Sequence, residues 1–242
     1  MTLNVGSTTL LDAFQIAALA MFLLIFVGRT IQLRIRERIN PITLSLGKRG
    51  MLGAAEVALF IEVNVWALAV LEHTLPGFDA PLPAWFRTQL IRSALCRIAG
   101  VCLIILAFLI CLLALRALGS SWRLGIDENR PGELVTSGIY RFSRNPIFVF
   151  FDLYFVSTFL LNGTVLFLLL ALFTIANLHY QILQEERFLS QAHGRAYVQY
   201  RLQTCRYATW QRLAEGLTCA GPGRRSQQVP DRPDDRLAGP SS

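Results

Sequence analysis

Two neighbouring carboxylates, Glu185 and Glu186, stand at the end of a long apolar run, with His179 seven residues before the second of them and Arg206 in the segment beyond. If that run is one unbroken helix, His179 and Glu186 share a face about 10 Å apart along the axis, beside a polar stripe of Asn177, Gln181 and Gln184. Acids near the carbonyl end of a helix sit at the wrong pole of its dipole, so a cation has to compensate them. Two chemistries meet that need: ion pairs with Arg187, Arg201 or Arg206, or a bound cationic ligand. A second constellation, Tyr140-Arg141-Phe142-Ser143-Arg144-Asn145-Pro146, runs into another apolar stretch. Pro146 has no donor to lose at a helix start, and the first-turn amides together with Arg141 and Arg144 make a small positive site suited to an anion. Read as structure alone, the same residues are a basic loop at a membrane surface followed by an ordinary Pro-started helix.

Composition says what kind of elements must hold these residues. The 242-residue chain is 53% hydrophobic and only 16% charged, with a mean hydropathy of +0.45, whereas soluble domains run nearer a quarter charged. That excludes a water-soluble fold and predicts an all-α, polytopic integral-membrane bundle of about five transmembrane helices at ~20 residues each. The apolar runs cover 13–27, 51–71, 98–115, 147–161 and 165–178, the last continuing amphipathically through Leu189. Asn162-Gly163-Thr164 is a turn signal, so helices 4 and 5 form an antiparallel hairpin. No cation precedes the first run, as a signal peptide would require, and it reads as a retained helix. The net charge of +7 does not point to nucleic acid, because the 23 cations all flank apolar runs: none before the first, then six, three, five and nine in successive segments. With an odd number of spans the two basic loops and the tail share one side, which the positive-inside bias makes cytoplasmic. The amino terminus is then outside and the carboxyl terminus in the cytosol. The five cysteines are odd in number and two lie within an apolar run, which predicts no disulfide framework, and their spacing suits no metal. Residues 216–242 carry almost nothing apolar and read as a disordered tail.

From Leu118 to Tyr207 the order is Gly138-x-Tyr140, Arg144-Asn145-Pro146, a helical hairpin, Glu185-Glu186-x-x-Leu189, Gly194-x-x-Tyr197-x-x-Tyr200, then Arg206-Tyr207. In that order the stretch resembles the isoprenylcysteine carboxyl methyltransferase and phospholipid methyltransferase group of integral-membrane enzymes. The resemblance implies S-adenosylmethionine in a cytosol-facing pocket closed by the segment after helix 5, with a lipidic or isoprenyl-type acceptor reaching it laterally between helices. Carried over by position, Tyr140, Arg144, Asn145, Pro146, His179 and Glu185 are the cofactor-binding residues. Glu186 and Arg206 are the catalytic pair, Arg206 matching a terminal Arg associated with the reacting group. Asn145 stands where many relatives have His, Phe148 replaces Tyr, Phe150 falls where Gly is frequent, His193 precedes Gly194 where Phe is usual, and Cys205 replaces Pro. Asn145 keeps a hydrogen-bonding side chain, so these departures bear on the acceptor more than on the cofactor. The cofactor's sulfonium and ammonium suit carboxylates, and its own carboxylate suits Asn145 or a helix amide. Methyl transfer to a carboxyl, thiol or amine is an in-line displacement that needs alignment in a dry site and requires no metal.

The chain divides into transmembrane helices 1–3 over 1–117, a catalytic region over 118–215 and the tail over 216–242. Its expected partners are the lipid bilayer and a lipophilic acceptor, and its expected location is a bacterial inner membrane with the site facing the cytoplasm. Two other functions compete. The polytopic steroid-reductase group, which uses NADPH, looks similar over the same loop, but the acid it carries after that loop is here Phe151. A non-catalytic transporter or scaffold accounts for the helices and for Glu56 and Glu62 inside helix 2, but not for the ordered loop motifs, and no internal repeat is visible. Glu56, ~7.5 Å along the helix from Met51, is within reach of the interface, whereas Glu62 is deeper and suits a structural hydrogen bond. His73 reads as a loop residue on the far side.

Overall fold

The computed structural model describes residues 9–36, 51–78, 82–122 and 133–207. The expected tail, most of the first basic loop and the whole stretch 123–132 lie outside the described residues. Regular structure within them is helical: α1 (Leu10–Arg36), α2 (Met51–Thr74), α3 (Ala94–Leu118), α4 (Pro146–Asn162), α5 (Val165–His193) and α6 (Arg195–Gln203), with single 3-10 turns between. Each expected apolar run became one helix, extended beyond the run by up to about three turns, because a backbone in hydrocarbon has to pair its amides and carbonyls within its own segment. Four of them, α1, α2, α3 and α5, are long and apolar enough to cross a membrane. Helix α4 has 17 residues, about 25 Å of helix against a hydrocarbon core of ~30 Å. The protein is thus a polytopic helical membrane bundle.

Helix α3 lies along α4, α4 against α5, and α5 against α2, which carries α1. The α3–α4 approach depends on Gly100, where a Cβ would stand 2.9 Å from Leu161 Cγ and 3.0 Å from the Ser157 carbonyl oxygen. The interior is aromatic. Phe22 of α1 stacks on Tyr154 of α4 at 5.7 Å and meets Trp66 of α2 edge-on at 5.6 Å, and Trp66 Nε1 donates to Thr158 Oγ1 at 3.2 Å. Apolar residues such as Leu24, Leu95 and Ile98 point outward, as lipid-facing positions should.

The α4–α5 turn is fastened to the strand-like segment before α3. Gly163 has φ +66° and a Cβ there would lie 2.1 Å from the Ile91 carbonyl oxygen. Its own carbonyl accepts from the Leu90 and Ile91 amides at 2.7 and 3.1 Å, and the Val165 amide donates to Thr88 O at 3.0 Å. Gln89 Nε2 adds bonds to Ile91 O (2.6 Å) and Asn162 O (2.8 Å).

Three expectations need correction. Glu56 does not reach the interface: it is 1% exposed, enclosed in the bundle, since distance along a helix says nothing about the direction a side chain takes. His73 is helical, in the last turn of α2, with its ring against Phe167. Cys96, Cys102 and Cys111 are free thiols, but Cys205 is disulfide-bonded, an outcome hidden from an argument based on the apolar cysteines. Glu62 does make the expected bond within the bundle, accepting from Thr174 Oγ1 at 2.5 Å.

Candidate active site

Because the α4–α5 turn joins one end of each helix, the start of α4 comes beside the longer α5 partway along its length, and there the flanking segments meet. Arg144, just before α4, crosses to Glu186 on α5 with Nη2 2.7 Å and Nε 3.1 Å from Oε1. Arg206, beyond α6, takes the other side with Nη2 2.8 Å from Oε2 and Nε 3.1 Å from Oε1. Arg144 Nη1 also donates to the carbonyls of Arg201 and Thr204. The backbone follows the charges: the Arg144 amide donates to Cys205 O at 2.9 Å, and Asn145 Nδ2 and the Ser143 hydroxyl donate to Arg206 O at 3.1 and 3.3 Å. The side chains of Arg144 and Glu186 are each 8% exposed and that of Arg206 34%. Charge-assisted bonds of this fork geometry are the strong ones. The hydrogen bond to Glu186 raises the pKa of the Arg206 guanidinium, against the effect of burial.

Helix α6 folds back beneath this knot. Tyr200 donates its hydroxyl to Tyr140 O at 2.7 Å and so ties α6 to the turn before α4. Tyr197 is 1% exposed. Its hydroxyl has no hydrogen-bond partner among the described residues, and neither has His193 Nε2. Burial, then the negative charge of Glu186, pushes the Tyr197 phenol up to about 12, with Arg144 opposing. Tyr140 is raised well above its ordinary value by burial first and by the Glu185 carboxylate second, and Glu185 itself is half-buried. Pro146 is the buried first residue of α4, with Asn145 as its N-cap. Two turns deeper along α5, His179 Nδ1 is 2.7 Å from the Tyr207 hydroxyl.

Arg144, Asn145, Glu186 and Arg206 are therefore joined directly, Tyr140, Glu185 and Pro146 border them, and His179 belongs to a separate contact with Tyr207. Of the three arginines that spacing offered Glu186, one binds it: Arg206 does, Arg201 lends only its carbonyl, and Arg187 is exposed. Arg144, read as part of an anion site, instead spends its charge on Glu186, a contact 42 residues long that helix periodicity cannot show. Asp152 also went unread, although an acid inside an apolar helix is a visible signal. Among the described residues no group of three His, Cys, Asp or Glu could hold a metal.

Neither the curated proteins nor the solved structures contain a significant match to this chain. A family model described as phospholipid methyltransferase matches residues 95–196. The match runs from the first turn of α3 into α6, taking in Tyr140, the Arg144-Asn145-Pro146 start of α4, the whole hairpin and Glu186, and stopping ten residues short of Arg206. Over that stretch, which is less than half of the chain, the sequence is similar to the phospholipid methyltransferase family of membrane methyltransferases.

Proposed function

We propose that the protein transfers a methyl group from S-adenosylmethionine to a lipidic acceptor, at the end of the α4–α5 hairpin where the basic segments converge. The observation that carries this reading is the Arg144–Glu186–Arg206 knot. It draws the family's loop, its helix 5 and the segment after α6 into one enclosed place. The residues there fit the cofactor. Glu185 is an acid for its amino group, and the buried Tyr197 hydroxyl without a partner is a donor or acceptor awaiting one. Asn145 and the first amides of α4 suit its carboxylate. Glu186 has both oxygens engaged by arginines, so its part is to hold Arg206 and the closing segment in position.

When bound, S-adenosylmethionine supplies an electrophilic methyl group on a sulfonium. The chain's own residues do the rest: Tyr140, Tyr197 and Tyr200 exclude water, Arg144 and Glu186 fix the floor, and Arg206, paired with Glu186, holds the closing segment over the site. Alignment in a dry site is where such an enzyme gains most of its rate. The positive-inside count favours a cytoplasmic position for this end of the bundle in a bacterial inner membrane.

Calorimetry in detergent tests the cofactor. S-adenosylmethionine is expected to bind and NADPH not to; tight NADPH binding with no response to S-adenosylmethionine would sink the proposal. Labelled cofactor with a lipid extract then identifies the fraction that acquires the methyl group.

A further inference from the structure

The α4–α5 groove carries a second polar layer that the Glu186 knot does not use. The two-residue turn sets the register of the two antiparallel helices. Counted from the turn, Asp152 lies ten residues back from Asn162 and His179 fourteen on from Val165, so His179 stands about 6 Å nearer the knot than Asp152, roughly the length of one long side chain. Tyr207 links them. Its hydroxyl is 2.7 Å from His179 Nδ1, its ring stacks on the imidazole at 6.1 Å, and the charge of Asp152 acts on its hydroxyl, second only to burial in raising it. Asp152 Oδ1 is buried with no hydrogen-bond partner among the described residues, within a helix that is otherwise largely apolar. A carboxyl oxygen stripped of water and given no donor is costly, and a bound molecule that brings the donor removes that cost. The layer opens sideways: His179 is exposed, and so are Ile175 and Leu172 on the same face of α5, one and two turns deeper. A molecule approaching through the bilayer meets it before it meets the knot.

We propose that Asp152, with His179 and Tyr207, forms the subsite for the acceptor's head group, and that Asp152 selects a head that donates a hydrogen bond over a carboxylate. The proposal rests on the methyltransferase reading for the word acceptor, and it moves His179 from the cofactor side to the acceptor side. A head bearing N–H or O–H satisfies Oδ1, while a carboxylate head brings a second acceptor and a like charge.

The test uses the full chain in nanodiscs of phosphatidylcholine, whose quaternary head donates no hydrogen bond. Binding of labelled dodecylamine, dodecanol and dodecanoate is measured without cofactor and corrected for partition into empty discs. The wild type is expected to favour dodecylamine over dodecanoate by about tenfold or more, with dodecanol between. Asp152→Asn should bring that ratio within about threefold of unity and Asp152→Glu should restore most of it. A wild-type preference for dodecanoate, or a ratio unchanged in Asp152→Asn, overturns the proposal; if Asp152→Asn does not fold, the wild-type ratio and Asp152→Glu decide. S-adenosylmethionine binding in the same discs separates the two ideas. Cofactor binding without head-group preference defeats the subsite alone, and head-group preference without cofactor binding defeats the methyltransferase reading alone.

Discussion

Glu186 was visible in the sequence as an acid in need of a cation, and the dipole argument that exposed it was sound. What the sequence could not show is that two arginines answer, one of them from before α4, because only the folded hairpin brings residues 144 and 186 together. The difference changes what a substitution should do. At a wet interface, removing one partner would cost about a kcal/mol or less, but Glu186 and Arg144 are each 8% exposed. Glu186→Gln leaves two guanidinium groups uncompensated and is expected to lower stability by about 3 kcal/mol. Arg206→Ala, at a partner 34% exposed, should cost nearer ~1 kcal/mol. Thermal unfolding in detergent measures both, and equal losses would show that burial does not rank the two arms of the knot. Since Arg206→Ala leaves a foldable protein, it is the cleaner probe of chemistry. Methyl transfer at saturating cofactor should fall roughly thirtyfold or more, about 2 kcal/mol in the barrier. Transfer close to wild type would reduce Arg206 to a structural ion pair.

At the scale of elements, the five apolar runs and the three-residue turn were enough to give the helices and the hairpin, because hydrocarbon leaves the backbone no alternative to a helix. Which helices neighbour one another was not legible. Only the short α4–α5 connection constrained a pairing, while the α3–α4 contact follows from Gly100, one small residue among many. Gly100→Val should push α3 from α4 and cost about 1–3 kcal/mol, with Ala intermediate. The bracing of the turn by Thr88–Ile91 was equally hidden, since backbone bonds between distant segments leave no periodic trace. Gly163→Ala is expected to be worse than an ordinary Gly→Ala change, by about 2 kcal/mol or more, because it meets both the left-handed φ and the Ile91 carbonyl. A melting temperature unchanged in Gly163→Ala would mean that the turn relaxes freely.

For the whole molecule, composition alone carried the membrane bundle, and the distribution of arginines predicts an orientation for it. An amino-terminal reporter and one fused after Arg225 are expected on opposite sides of the membrane, the second in the cytosol. Reporters on one side would require an even number of spans, with α4, the 17-residue helix, as the first candidate to fall short. The polar interior was legible only as isolated suspects. Glu62 could be read as a buried acid with some partner, but not as the acceptor of Thr174, because the face α2 turns to α5 depends on the packing of all the other helices.

Among the described residues, only one of the two ends of the α4–α5 hairpin is held by charge as well as by dipolar bonds. Around Gly163 the fastenings are neutral peptide and amide hydrogen bonds, indifferent to ionic strength. At the opposite end guanidinium–carboxylate attraction is added to the neutral bonds that hold the closing segment, and its outermost arm, Arg206, is a third exposed. Salt weakens exposed charge pairs and leaves dipolar bonds nearly untouched, so electrolyte becomes a handle on one end only. Raising it should speed hydrogen exchange at the amides of 204–207 while those of 88–91 keep their protection, and the hairpin would loosen from the basic side without coming apart at its tip.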